Sequence, residues 1–200
     1  MTANALAAQK PLGARPLIHL ICALPLLWLG TRAALDLLGA NPVEAAIRFL
    51  GDWALRLLIV ALAVTPIRLV FGWSAPVRYR RMLGLWAFAY VVLHVAFYVI
   101  LDQFFDWGAI GHDILKHKFI TVGMAALILL TPLAATSTNA MIKRLGGPAW
   151  RRLHRAVYLA APLAALHYVW MVKAGILQPM AYLLIVLSLL ACRLLVGQRP

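Results

Sequence analysis

Four histidines, His19, His94, His154 and His167, fall inside apolar runs of the 200-residue chain. An ionisable side chain in such a run is rare and marks a functional site by default. His94 stands in LGLWAFAYVVLHVAFYVI, and LHRAVYLAAPLAALHYVWMV holds both His154 and His167. Counted from the basic end of each run at 1.5 Å per residue, His94 lies ~18 Å deep and His167 ~21 Å deep, so the two imidazoles can meet at one level. Two facing imidazoles are what a six-coordinate heme iron requires, and such a heme is a one-electron carrier. The same residues also admit a hydrogen-bonded helix pair, or a proton relay in a transporter. Zinc fits poorly, because no cysteine or carboxylate joins the histidines at ligand spacing.

His154 precedes His167 on the same run, and their spacing leaves them about 140° out of register on an ideal helix. Pro162 lies between them and can kink or rotate the helix. Beside Arg151, Arg152 and Arg155, His154 suits either a lipid headgroup or a second cofactor, with His19 at similar depth as a possible partner. Arg78, Arg81 and Arg151 belong to a basic cluster that can hold a heme propionate, a flavin phosphate or a quinone carbonyl. Trp86, Tyr90, Tyr98, Tyr158, Tyr168 and Trp170 serve equally as interfacial aromatics or as stacking partners for a cofactor ring. His112 and His117 are expected as solvated loop residues, and Cys22 and Cys192 as packing residues.

The elements that must position these groups are apolar throughout. Hydrophobic residues make up 64% of the chain and charged ones 12%, against about 25% charged in a soluble domain. Apolar runs at 17–38, 53–71, 83–101, 119–135, 153–172 and 177–196 each approach the ~20 residues that cross a bilayer. The expected fold is therefore all-α: a polytopic membrane protein, a six-helix transmembrane bundle spanning 17–196, with tails at 1–16 and 197–200. A short interfacial helix is expected within 39–52, span two is expected to end at Thr65-Pro66 and Arg68, and Arg32 and Asp36 to pair one turn apart. Gly146-Gly147-Pro148 reads as a helix stop and restart, and Lys173-Ala174-Gly175 as a tight turn. The loops are too short for a nucleotide-binding domain.

The net charge of +13 is explained by topology rather than by nucleic acid. With both termini on one side, that side receives Lys10, Arg15, Arg68, Arg78, Arg80, Arg81, Lys143, Arg144, Arg151, Arg152, Arg155, Arg193 and Arg199, against Lys116, Lys118, Lys173 and Arg48 opposite. The basic side is cytoplasmic. The acidic residues gather towards the outer face, where they can help dock a basic partner.

Three segments in order, RRMLGLWAFAYVVLHVAFYVILD, LAATSTNAMIKRLGGPAW and WRRLHRAVYLAAPLAALHYVW, closely resemble the MsrQ family. These are the heme-binding membrane subunits of bacterial periplasmic methionine sulfoxide reductase systems, within the ferric reductase-like transmembrane superfamily. The resemblance covers roughly 12–196. It implies that His94, His154 and His167 are heme-associated, and that the cofactors are heme b, one or two, and FMN. It further implies a bacterial inner-membrane location and a non-catalytic electron-transfer role. Electrons would come from membrane quinones and go to a periplasmic molybdopterin-containing catalytic subunit, MsrP, which repairs oxidised proteins. A quinone-linked cytochrome serving another acceptor is the alternative. Two-heme members of the wider superfamily carry two histidines on each of two helices, whereas the third run here has only His94.

Overall fold

The computed structural model describes residues 14–172 and 175–196. The tails beyond these limits, with Lys10 and Arg199, and Lys173-Ala174 of the expected turn lie outside the described residues. The chain divides into two units, 1–40 and 41–200. Among the described residues of the first lies α1 (Arg15–Ala34), long and apolar enough to cross a membrane. At its end Arg32 turns its guanidinium to the Leu37 carbonyl and lies over Trp28, so the expected pair with Asp36 is replaced. Asp36 itself sits at φ 53° in the turn that follows.

The second unit begins with α2 (Pro42–Phe71). Asn41 caps it by accepting the Glu44 N–H, Pro42 occupies the first turn, and Gly72 closes it at φ 69°. This single helix absorbs the separate interfacial helix expected within 39–52. It also runs past Thr65-Pro66, a pair that lies inside the helix rather than at its end. Its 30 residues make a rod of about 45 Å, longer than the hydrocarbon core, so Glu44 and Arg48 pair on an exposed turn near its start.

A 3-10 turn, Ala75–Tyr79, leads into α3 (Arg80–Phe97), which ends in a π-helical turn, Tyr98–Asp102. The segment expected as a loop next forms α4 (Trp107–Lys116), capped by Asp106. His112 is exposed as expected, whereas His117 pairs with Asp113 at 3.6 Å. Helix α5 (Lys118–Ala135) carries Thr131-Pro132 inside it. Short helices α6 (Asn139–Leu145) and α7 (Gly147–Leu153) meet at Gly146, whose φ of 76° makes the expected stop and restart. A 3-10 turn, His154–Ala156, precedes α8 (Val157–Met171), and α9 (Leu177–Val196) completes the unit.

Among the described residues five helices are long and apolar enough to span a bilayer, so the chain is a multi-pass membrane protein. The fifth apolar run, 153–172, differs from the expectation: its α-helix begins at Val157, after the His154 turn, and is 15 residues long, about 22 Å at 1.5 Å per residue.

Within the second unit, α2 packs along α3 and α5 along α8, while α9 lies against α8 and α2. Alanines 160, 161 and 165 of α8 are fully buried and allow close backbone approach. Leu50, Leu58 and Leu62 of α2 are buried in the same interior, with Tyr90 and Val186. Leucines 159, 184 and 187 remain exposed, as lipid-facing side chains should be.

A candidate heme site between two helix pairs

His94 leaves α3 and lies flat against α2; His167 leaves α8 and lies flat against α5. In both cases the contact is a glycine. A Cβ on Gly51 would stand 3.1 Å from His94 Nδ1, and one on Gly123 would stand 2.8 Å from His167 Nδ1. The hydrogen bonds repeat the pattern: His94 Nδ1 donates to the Ile47 carbonyl at 2.9 Å, and His167 Nδ1 to the Phe119 carbonyl at 2.7 Å.

Each acceptor lies four residues before the glycine. In an α-helix the carbonyl of residue i−4 points at residue i, and a side chain at i would shield its outer face. Glycine leaves that face open, so the carbonyl can take a second donor from the neighbouring helix. Because a carbonyl only accepts, Nδ1 must carry the proton, and Nε2 of each neutral ring keeps the lone pair. This is the outer-shell arrangement usual for metal-bound imidazole.

The two ring centres are 6.3 Å apart with planes inclined at 79°. With about 2.0–2.1 Å for a metal–imidazole bond and about 1.1 Å from Nε2 to the ring centre, two imidazoles on one iron are separated by about 6.3 Å. The spacing therefore fits two axial ligands of a single heme iron.

Both histidines line a cavity of about 1010 Å³ bounded by α2, α3, α5 and α8, at the upper end of the usual size range for ligand sites. His154 lines the same cavity at the opposite end of α5: the His167 contact is at Phe119, where α5 starts, and His154 Nε2 lies 3.4 Å from Ser137 Oγ, just beyond its end. The His154 ring stacks on Trp150 with centres 3.8 Å apart, and its Nδ1 bonds the Trp150 carbonyl at 3.1 Å. Burial pushes this imidazole below its ordinary range, against the opposing pull of the Trp150 and Leu133 carbonyls. No other histidine among the described residues lines this end, so the structure brings His94 and His167 together and leaves His154 apart.

Arginines set the charge at the His154 end. Of the sequence candidates, Arg81 and Arg151 line the cavity, while Arg78 instead lies over the ring of Tyr79, 4.9 Å from its centre. Arg80, Arg155 and Arg193 complete the lining. Arg81 is held by Asn139 Oδ1 at 2.6 Å and Arg80 by Thr65 Oγ1 at 3.1 Å. Arg193 donates from Nη2 to the Leu62 carbonyl at 2.6 Å, while its buried Nε has no hydrogen-bond partner among the described residues. A buried donor left unpaired beside several cations fits an anionic group such as a propionate or phosphate. Gly51, Gly123 and Arg193 are the site residues that sequence reasoning missed; isolated glycines inside apolar helices were the available signal.

Residues 50–165 match the family described as ferric reductase like transmembrane component. A protein-methionine-sulfoxide reductase heme-binding subunit MsrQ from Rhodospirillum rubrum is 52% identical over 199 residues, covering 100% of this chain and 96% of the relative. The subunit of the same name from Caulobacter vibrioides is 49% identical, covering 92% and 87% respectively. A magnetosome protein, MamZ, from Magnetospirillum gryphiswaldense is 43% identical over 182 residues, covering 88% of this chain but 28% of that longer protein. No solved structure matches.

Proposed function

The chain belongs to the MsrQ family of heme-binding subunits, within the ferric reductase-like transmembrane proteins, and from that premise we propose that it is the membrane electron-transfer subunit of a protein-methionine-sulfoxide reductase. In this reading electrons come from membrane quinones and go to a periplasmic molybdopterin enzyme that reduces methionine sulfoxide in oxidised proteins. The carrying observation is the His94–His167 pair, with ring centres 6.3 Å apart and both Nδ1 atoms committed to backbone carbonyls.

Bound heme b supplies reversible one-electron change at iron. The protein's part is positional. Ile47 and Phe119 fix the tautomer and the ring direction, Gly51 and Gly123 give the rings room, and the apolar walls of α2 and α5 keep water away from the iron site. His154 marks the second cofactor position, for another heme b or for FMN, whose acidic groups Arg81, Arg151 and Arg193 would hold. The proposed topology has six spans within 17–196, α8 being the short fifth, and places both termini in the cytoplasm.

The test is reconstitution of the chain in quinol-containing vesicles with the purified periplasmic enzyme outside. Heme reduced by quinol should reoxidise when a methionine-sulfoxide protein is added together with the enzyme. Reoxidation independent of both additions would reject the assignment of acceptor. A second reading, the same cytochrome serving another acceptor, draws on the MamZ match, where a segment like this one belongs to a longer chain. Reoxidation by a different periplasmic redox protein, and not by the reductase, would select it.

A further inference from the structure

A second cavity, of about 330 Å³, lies among α2, α8 and α9 and has no part in heme ligation. Its walls include Arg48, Asp52, Tyr168, Met171, Gln178 and Pro179. Arg48, Asp52, Tyr168 and Met171 also line the large cavity, so a single layer of side chains separates the two spaces. The cavity is close to the iron site along both helices: Asp52 follows Gly51, which touches His94, and Tyr168 follows His167.

The polar groups here form a connected set. Tyr168 and Arg56 both face the Asp52 carboxylate, the guanidinium at 3.8 Å. Arg56 Nε donates to Tyr182 Oη at 2.8 Å, and Gln178 Nε2 reaches the same oxygen at 3.5 Å. The rings of Tyr168 and Tyr182 have centres 5.9 Å apart. A carboxylate, a guanidinium and two phenols inside apolar helices are costly to place, and helix packing alone would be served by leucine; Gln178 stands exposed on the first turn of α9 beside them.

We propose that this cavity is the site where a quinol headgroup binds and is oxidised. The inference rests on the heme reading above and adds the place where its electron donor sits. A quinol ring carries an oxygen at each of two opposite positions and an apolar face between them. Asp52 with Tyr168 provides hydrogen bonding for one oxygen, Gln178 provides it for the other, and Met171 with Pro179 forms the wall for the ring. The volume suits one substituted ring, at the small end of ligand cavities. The quinol leaves as quinone after losing two electrons and two protons. A heme held by His94 and His167 would take the electrons one at a time, handing the first to the periplasmic acceptor of the proposed function before the second leaves the half-oxidised ring. The protons go to the Asp52 carboxylate and then to water on the outer side, where Glu44 and Arg48 are exposed.

The experiment uses the full chain in nanodiscs with its heme, ubiquinol-1 as reductant and ubiquinone-1 as binding probe. Gln178→Leu and Asp52→Asn should retain wild-type heme content and a wild-type dithionite-reduced spectrum. Loss of one hydrogen bond to the ring should weaken ubiquinone-1 binding about tenfold and slow heme reduction by ubiquinol-1 comparably. Variants that bind and reduce like wild type would overturn this site while leaving the heme reading intact. Variants that lose heme would assign the two residues to the iron site and overturn it as well. A wild-type chain that carries heme but neither binds ubiquinone-1 nor accepts electrons from ubiquinol-1 would reject both this site and a quinone donor. A chain that takes up no heme would reject the underlying reading itself.

Discussion

The two ends of the large cavity solve different problems. At the end where α5 starts, the outer end in the proposed topology, His94 and His167 come from two helix pairs built on one local plan: a glycine gives the ring room, and the carbonyl four residues earlier accepts the Nδ1–H hydrogen bond. At the other end His154 stands in a 3-10 turn, stacked on Trp150 and facing Ser137, among cationic side chains. The outer end is specified by backbone geometry, the inner one by charge. A ligand site made from helix backbone holds its rings within narrow limits, whereas an arginine rim accepts any anionic group of suitable size.

Substitutions can break or sharpen that contrast. The largest effect is expected from His94→Ala or His167→Ala: each should eliminate the outer heme, seen as loss of its low-spin absorbance, while pigment at the inner end is retained. Next comes Gly123→Ala, whose new methyl would stand 2.8 Å from the His167 ring. A ring packed against backbone cannot swing away like the tip of a lysine, so overpacking of about 1–3 kcal/mol is expected. Loss of the Phe119 hydrogen bond should lower heme affinity by about 10–100-fold. Gly51→Ala, at 3.1 Å from His94, should act in the same direction and more weakly; heme titration of the two apoproteins checks the order. A reversed order would show that the two helix pairs do not share one plan.

His154→Ala should leave the outer signal unchanged and remove only the inner pigment, measured as heme and flavin extracted per chain. The smallest effect is expected at the arginine rim. Arg193→Gln keeps a donor and removes the charge, and should lower the reduction potential of the inner cofactor while leaving the outer one in place, as read by a spectroelectrochemical titration. Equal shifts at both ends would contradict the separation of roles.

Much of this arrangement is legible in the sequence because hydrophobic length and helical rise are one-dimensional properties. The equal depth of His94 and His167 follows from counting residues, and Gly146 announces its own break. The shape of the fifth run was not legible: a turn at His154–Ala156 depends on how α7 meets α8, and no periodicity in LHRAVYLAAP records it. Thr65-Pro66 reads as a helix end, yet α2 continues through it, as α5 does through Thr131-Pro132. Threonine 131 bonds the Leu127 carbonyl instead of capping a terminus, a choice decided by the surrounding apolar medium. The glycines were visible but mute, since their use depends on which helix comes alongside. Arg78 and Arg81 are close in sequence and separate in space for a similar reason. The 3-10 turn carries Arg78 onto Tyr79, whereas Arg81, on the first turn of α3, faces the cavity and Asn139.

The central claim is that one iron is held between His94 and His167, and electron paramagnetic resonance of the oxidised protein tests it most directly. Axial imidazoles with planes inclined at 79° should give the strongly anisotropic low-spin ferric signal of near-perpendicular ligands, and that signal should vanish in both His94→Ala and His167→Ala. That strongly anisotropic signal surviving unchanged in either variant would contradict the account.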